Sequence, residues 1–162
     1  MTEDAVDRIV AQWRAERPDL ETGAMAVFGR IYRIARLMGD RMEAVYQGYG
    51  IGRGDFDVLS TLRRSGEPYT LSPKELTATL MLTSGGMTGR LDRLERAGLV
   101  GRAPDPDDRR GLRISLTAAG LGVIEAAVGA GLDAQREVLA VLDTKDQEYL
   151  ADVLRTLMEP LG

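Results

Sequence analysis

Three observations predict a mainly α-helical chain built around two short helices and a two-stranded β wing. The apolar residues of segment 23–49 (Ala24, Phe28, Ile31, Ala35, Met38, Met42, Val45 and Tyr49) follow one another at alternating intervals of four and three, the period of a long helix packing along its length. Two short amphipathic segments between residues 72 and 98 leave only two or three residues for the turn that joins them. Directly afterwards the period falls to two: Leu112, Ile114 and Leu116 alternate with Arg113, Ser115 and Thr117, as in a strand with one buried face.

Taken in order, the elements justify themselves locally. Val6, Ile9, Val10 and Trp13 share one face of a short first helix, which "RPDLETG" breaks at Pro18. The long helix of 23–49 follows, then a shorter one over 55–64 with Phe56, Leu59 and Leu62 inward. Ser72 caps the next helix, with Pro73 at its first position and Glu75 three residues after the cap, and Leu76 and Leu80 on its buried face. Its successor opens near Thr83 or Ser84, buries Met87, Leu91 and Leu94, and stops at Gly98. A hairpin with a long polar tip then leads to a helix from Thr117 to about Leu142, and a last helix over 145–159 buries Leu150, Val153, Leu154, Leu157 and Met158. The seam of 23–49 and the apolar face of 145–159 exceed what a 46-residue motif core over 72–117 can cover, which predicts long terminal helices forming a dimerisation scaffold.

Composition removes several function classes. With no cysteine and no histidine among 162 residues, the chain has no disulfide framework, no thiol switch, no Cys/His zinc site and no histidine acid or base. No catalytic residue, metal or cofactor is predicted, and the chain is not expected to be an enzyme. The acidic, amphipathic start "MTEDAVDRIVAQW" and the absence of 18 consecutive apolar residues predict a cytoplasmic protein with no membrane partner. A net charge of −4 excludes a general polycation. Between Ser72 and Thr117, however, eight basic residues face six acidic ones, a weakly positive island on a body that carries −6.

The stretch "TSGGMTGRLDRLERAGLV" poses a problem, since Gly85, Gly86 and Gly89 each cost a helix about 1 kcal/mol relative to alanine. Either Gly85 and Gly86 extend the turn and the helix starts at Thr88, or the bare backbone is used. A helix that enters a major groove N-terminus first brings its opening turns against base edges and phosphates, where small residues allow close approach. Helix, turn, helix and hairpin in this order make a winged helix-turn-helix, with Ser84, Thr88 and Arg90 facing outward and Arg109 and Arg110 at a tip able to reach a minor groove.

The run from Leu71 to Gly120, above all "GRLDRLERAGLV" and "DPDDRRGLRISLT", resembles the signature region of the MarR family of winged-helix transcription regulators, and the flanking long helices match its order. The resemblance covers nearly the whole chain. It implies a homodimer with interlocking first and last helices, bound to double-stranded DNA at a pseudo-palindromic operator. Carried over, it puts Ser84, Thr88 and Arg90 near DNA, with Asp107 orienting the wing and Arg109 or Arg110 inserting. Gly89 stands where many members carry a DNA-contacting side chain. The implied division is 1–49 for N-terminal helices, 54–117 for the DNA-binding lobe and 118–162 for C-terminal dimerisation helices.

A narrower resemblance is to the branch that responds to urate and related anions, carried by the extra first helix with Trp13 together with Asp57, Arg64 and Arg90. It implies that a small planar or carboxylate anion stacks on the indole while a guanidinium takes its charge. Trp13 is otherwise a core anchor, and Asp57 and Arg64, seven apart on one helix face, are otherwise an internal salt link. The implied function is a repressor released by such an anion. The alternatives are a winged-helix DNA binder without a ligand and a winged-helix protein-interaction module.

Overall fold

Asp4 opens the first helix with a reciprocal cap: its carboxylate accepts from the backbone N–H of Val6 at 2.7 Å and of Asp7 at 2.9 Å, while Asp7 Oδ2 accepts from Asp4 N at 3.0 Å. From there the computed structural model, which describes residues 3–80, 84–106, 108 and 111–162, runs through α1 (Ala5–Glu16), α2 (Gly23–Gln47), α3 (Arg53–Arg64), β1 (Thr70–Leu71), α4 (Pro73–Leu80), α5 (Ser84–Arg96), β2 (Val100–Pro104), β3 (Leu112–Leu116), α6 (Ala118–Leu139) and α7 (Thr144–Met158). A 3₁₀ turn, Glu159–Leu161, follows α7. The chain divides into two compact units, Met1–Met42 and Glu43–Gly162, with the boundary inside α2.

In the first unit α1 is clamped to α2. Arg30 donates from Nε to Asp4 at 2.9 Å and from Nη2 to Asp7 at 2.6 Å. Val6 packs where α2 has Gly29, whose added Cβ would come within 2.9 Å of Val6 Cγ1, and Arg14 Nε donates to Thr22 Oγ1 at 3.0 Å. Backbone N–H donors lower both carboxyls below their ordinary range, that of Asp7 for Asp4 and that of Asp4 for Asp7, and Arg30 adds to each.

In the second unit α3, α4, α5 and α6 close around Val58, Leu59, Leu62, Leu76, Met87, Leu91, Leu94, Ile114, Ile124 and Ala127, all at most 3% exposed. The predicted capping box of α4 is present, with Ser72 N donating to Glu75 Oε2 at 2.7 Å and Glu75 N donating to Ser72 Oγ at 3.2 Å. Gly98 ends the α5 segment in the left-handed region, at φ +71°. Thr117 caps α6, accepting from Gly120 N at 2.9 Å and donating to Gly98 O at 2.7 Å.

The expected two-stranded wing is present, and a third strand adds to its sheet. Strand β3 pairs antiparallel with β2, from Val100 opposite Leu116 to Pro104 opposite Leu112, and on its other edge with β1, Thr70 opposite Ser115. Two residues have no period to detect, and their partner lies more than 40 positions away. Packing of the terminal helices also differs from expectation. No residue of α7 is buried within the chain: Leu150, Val153, Leu154 and Met158 are 37–63% exposed. Of the α2 seam only Met42 is buried, and Phe28 is 37% exposed. The period reports an apolar face, not what covers it.

Candidate nucleic-acid interface

Helix α5 starts at Ser84, so Gly85, Gly86 and Gly89 lie inside its first two turns and the reading that begins the helix at Thr88 is excluded. A Cβ on Gly85 or Gly89 would meet nothing within 4 Å, so packing within the chain does not demand glycine at either position. Thr88 is exposed beside them, on the rim of a cavity of about 450 Å³ lined by Pro73, Lys74, Thr77 and Ala78 of α4 and by Met87. The side chain of Ser84, and Asp107, Arg109 and Arg110, lie outside the described residues. Below the wing tip Asp105 N donates to Gly111 O at 3.0 Å, Gly111 N donates to Asp108 O at 2.8 Å, and Arg113 Nε pairs with the nearly buried Asp105 at 2.8 Å.

Arg90 does not extend outward as expected. Its Nη1 donates to Gly54 O at 3.1 Å in the first turn of α3, and the guanidinium lies so close over that glycine that an added Cβ, 2.6 Å from the guanidinium carbon, would push the flexible Arg90 side chain aside. One turn along α5, Arg93 grips Asp55 through Nη2 at 2.6 Å and Nε at 3.1 Å. Asp55 is 7% exposed and holds the Arg93 guanidinium further toward its charged form. From the other side Arg102 of β2 reaches Asp92 and Glu95 of α5. Arg93, Arg102 and Arg113 of the basic island are therefore each paired with a carboxylate.

The sequence reading missed these pairs, although Asp55 left a signal. It shares the apolar face of α3 with Val58, Leu59 and Leu62, and an acid on such a face needs a cation. Which arginine supplies it, 38 residues away, is a tertiary fact.

The residues assigned to anion binding are partly brought together. Trp13 is 43% exposed and borders a cavity of about 290 Å³ with Gln12 and Glu16, so within its own unit it is not a core anchor. Arg90 contacts Gly54, one helical turn before the exposed Asp57 on the same face of α3. Tyr46 stacks on Phe56 with ring centroids 3.9 Å apart, and its phenol is pushed up by burial and then by the Asp57 charge. Arg64 is held along its own helix. Its Nε donates to Ser60 O at 3.2 Å and its Nη2 to Thr61 Oγ1 at 3.1 Å, and no ion pair joins it to Asp57 among the described residues. Instead it borders a cavity of about 430 Å³ between α3 and α6, lined by Phe56, Ser60, Arg63, Ile124 and Val128.

A capped short helix, a second short helix pinned by arginines from both sides and a small antiparallel sheet define a winged helix-turn-helix regulator. Residues 49–111 match the MarR family profile. Over 149 residues, 92% of this chain and 90% of the relative, the sequence is 38% identical to the HTH-type transcriptional regulator PecS of Dickeya dadantii. It is 27% identical to the HTH-type transcriptional repressor YetL of Bacillus subtilis, over 89% of this chain and 86% of that one. The crystal structure of Sco3205, a MarR family transcriptional regulator from Streptomyces coelicolor in complex with DNA, superposes with a TM-score of 0.77 at 26% identity, covering 88% of this chain and 90% of that one. The chain belongs to the MarR family, whose members are transcriptional regulators and not enzymes.

Proposed function

We propose that the protein is a homodimeric, sequence-specific DNA-binding repressor that a small planar or carboxylate anion, urate among them, releases from its operator. The observation that carries the DNA reading is α5: its first two turns are glycine-rich, and Gly85 and Gly89 have open space where a Cβ would stand. Such a helix end lets a phosphate or base edge come to the backbone N–H groups. Ser84 and Thr88 are assigned to DNA contact, and Arg109 or Arg110, with Asp107, to the wing contact. The complex with DNA formed by Sco3205 and the repressor role of YetL support this reading by analogy. Two half-sites about one helical turn, roughly 10 base pairs, apart are expected.

The ligand reading assigns Trp13 to stacking, Asp57 to orientation, and Arg64 and Arg90 to charge. Arg90 links it to DNA, since it sits on the reading helix while its guanidinium rests on α3. A ligand that draws Arg90 into a new contact biases α5, and by linkage DNA lowers ligand affinity by the factor by which the ligand lowers DNA affinity.

The test is a titration of a panel of purine and small carboxylate anions, following Trp13 emission and operator release together. Saturable quenching with parallel release, both weakened by Arg90→Ala and Asp57→Ala, supports the reading. Quenching without release demotes the site to adventitious binding, and release with Trp13 and the Arg90 variant indifferent moves the pocket elsewhere.

A further inference from the structure

We propose that Arg102 is a positioning residue that locks the wing to the reading helix through Asp92 and Glu95 and thereby sets DNA specificity without touching DNA. The inference rests on the DNA-binding reading above and concerns residues that reading does not use.

Arg102 lies on β2 opposite Ile114, a fully buried residue, so its backbone is fixed by the core of the lobe. Its side chain is 23% exposed, Nη2 meets Asp92 Oδ1 at 2.5 Å, and Nε, itself buried, lies 3.2 Å from Glu95 Oε2 as an ion pair without hydrogen-bond alignment. Asp92 and Glu95 continue the stripe of Thr88 along α5 at intervals of four and three, so the clamp grips the helix face that carries Thr88. Further along the same strand pair, Pro104 opposite Leu112 and the Asp105–Arg113 pair form the base of the wing tip. The angle between wing tip and reading helix is therefore set where β2 meets α5, at Arg102.

Charge logic separates positioning from its competitors. Asp92 and Glu95 are each nearly half exposed on a helix placed against phosphates, where an unpaired carboxylate repels DNA. If Arg102 only masked that repulsion, removing the carboxylates would strengthen DNA binding. A clamp predicts the reverse: losing either end frees the wing, and operator binding weakens although negative charge has been removed.

The experiment selects an operator from a random duplex pool with the wild-type protein. It then compares affinity for that operator and for a scrambled duplex, across salt concentrations, for wild type, Arg102→Ala, Arg102→Lys and the Asp92→Asn, Glu95→Gln double variant. The near-isosteric amides keep the test open should Arg102→Ala fold poorly, and folded fraction is checked by thermal unfolding. Positioning predicts that the operator-to-scrambled ratio falls about tenfold in Arg102→Ala and in the Asp92→Asn, Glu95→Gln double variant, with the log–log salt slope unchanged and Arg102→Lys recovering part of the ratio. A slope smaller by about one unit, with equal loss on both duplexes, makes Arg102 a phosphate contact and overturns the proposal. Stronger operator binding by the double amide variant with the ratio preserved reduces Arg102 to charge masking and also overturns it. If the wild-type protein selects no sequence from the pool, the DNA reading itself fails, which is a separate outcome.

Discussion

Gly120 shows how a single hydrogen atom can hold two elements together. A Cβ there would lie 1.9 Å from the Leu99 carbonyl oxygen, a backbone atom that cannot swing aside, while Thr117 ties the same turn to Gly98. Gly120→Ala is expected to cost about 3 kcal/mol, the upper end of overpacking penalties, and to be read as a lowered Tm in a protein that still forms α6. Gly122→Ala, two positions on with nothing within 4 Å of the added Cβ, is the control and should be neutral or stabilising by up to about 1 kcal/mol. The sequence shows four glycines in this helix without telling which one the fold requires, because the requirement comes from a carbonyl of another element. Arg90 teaches the same lesson in the site: its place on the second short helix was legible, while its contact with Gly54, 36 residues earlier, was not.

At the scale of elements, the clamp on α1 has a pH dependence whose sign is fixed. Asp4 and Asp7 are both held below their ordinary carboxyl range by helix N–H groups and by Arg30, so the docking they contribute is fully present above the unfolded value near 4 and is lost as pH falls through the lowered folded values. Trp13, the only tryptophan, lies on α1, so its emission reports the release. Emission should shift on acidification below about pH 4, and Asp4→Asn with Asp7→Asn should produce the shift at neutral pH. An unchanged spectrum in the double variant means that Val6 on Gly29 and Arg14 on Thr22 hold the helix unaided. Helices of this kind were legible because 3.6-residue periodicity and capping residues are local. Strand β1 was not, since two residues owe their conformation entirely to β3.

The whole molecule carries apolar surface that one chain leaves uncovered. Tyr32, Ile34 and Leu37 on α2 and Tyr149, Val153, Leu154 and Met158 on α7 are all more than a third exposed. A homodimer that covers Phe28 of the α2 seam and the apolar residues of α7 explains why the apolar period was readable there while intrachain burial was not. The variant carrying Val153→Glu and Leu154→Glu should sediment as a monomer at micromolar concentration, where the wild type is a dimer. Its operator affinity should fall at least about tenfold, because half-sites one turn apart then have to be filled independently. A dimer that survives both charges places the interface elsewhere.

The central claim is that α5 carries Gly85 and Gly89 because DNA, and not the protein interior, needs the bare backbone. Stability and operator affinity of Gly85→Ala and Gly89→Ala, measured side by side, test it directly. Each alanine fills open space in an exposed helix and should raise stability by about 1 kcal/mol, while the added methyl keeps phosphate or base edge away and weakens operator binding by about tenfold or more. The two quantities are predicted to move in opposite directions. Stabilised variants that bind the operator with wild-type affinity would contradict the claim.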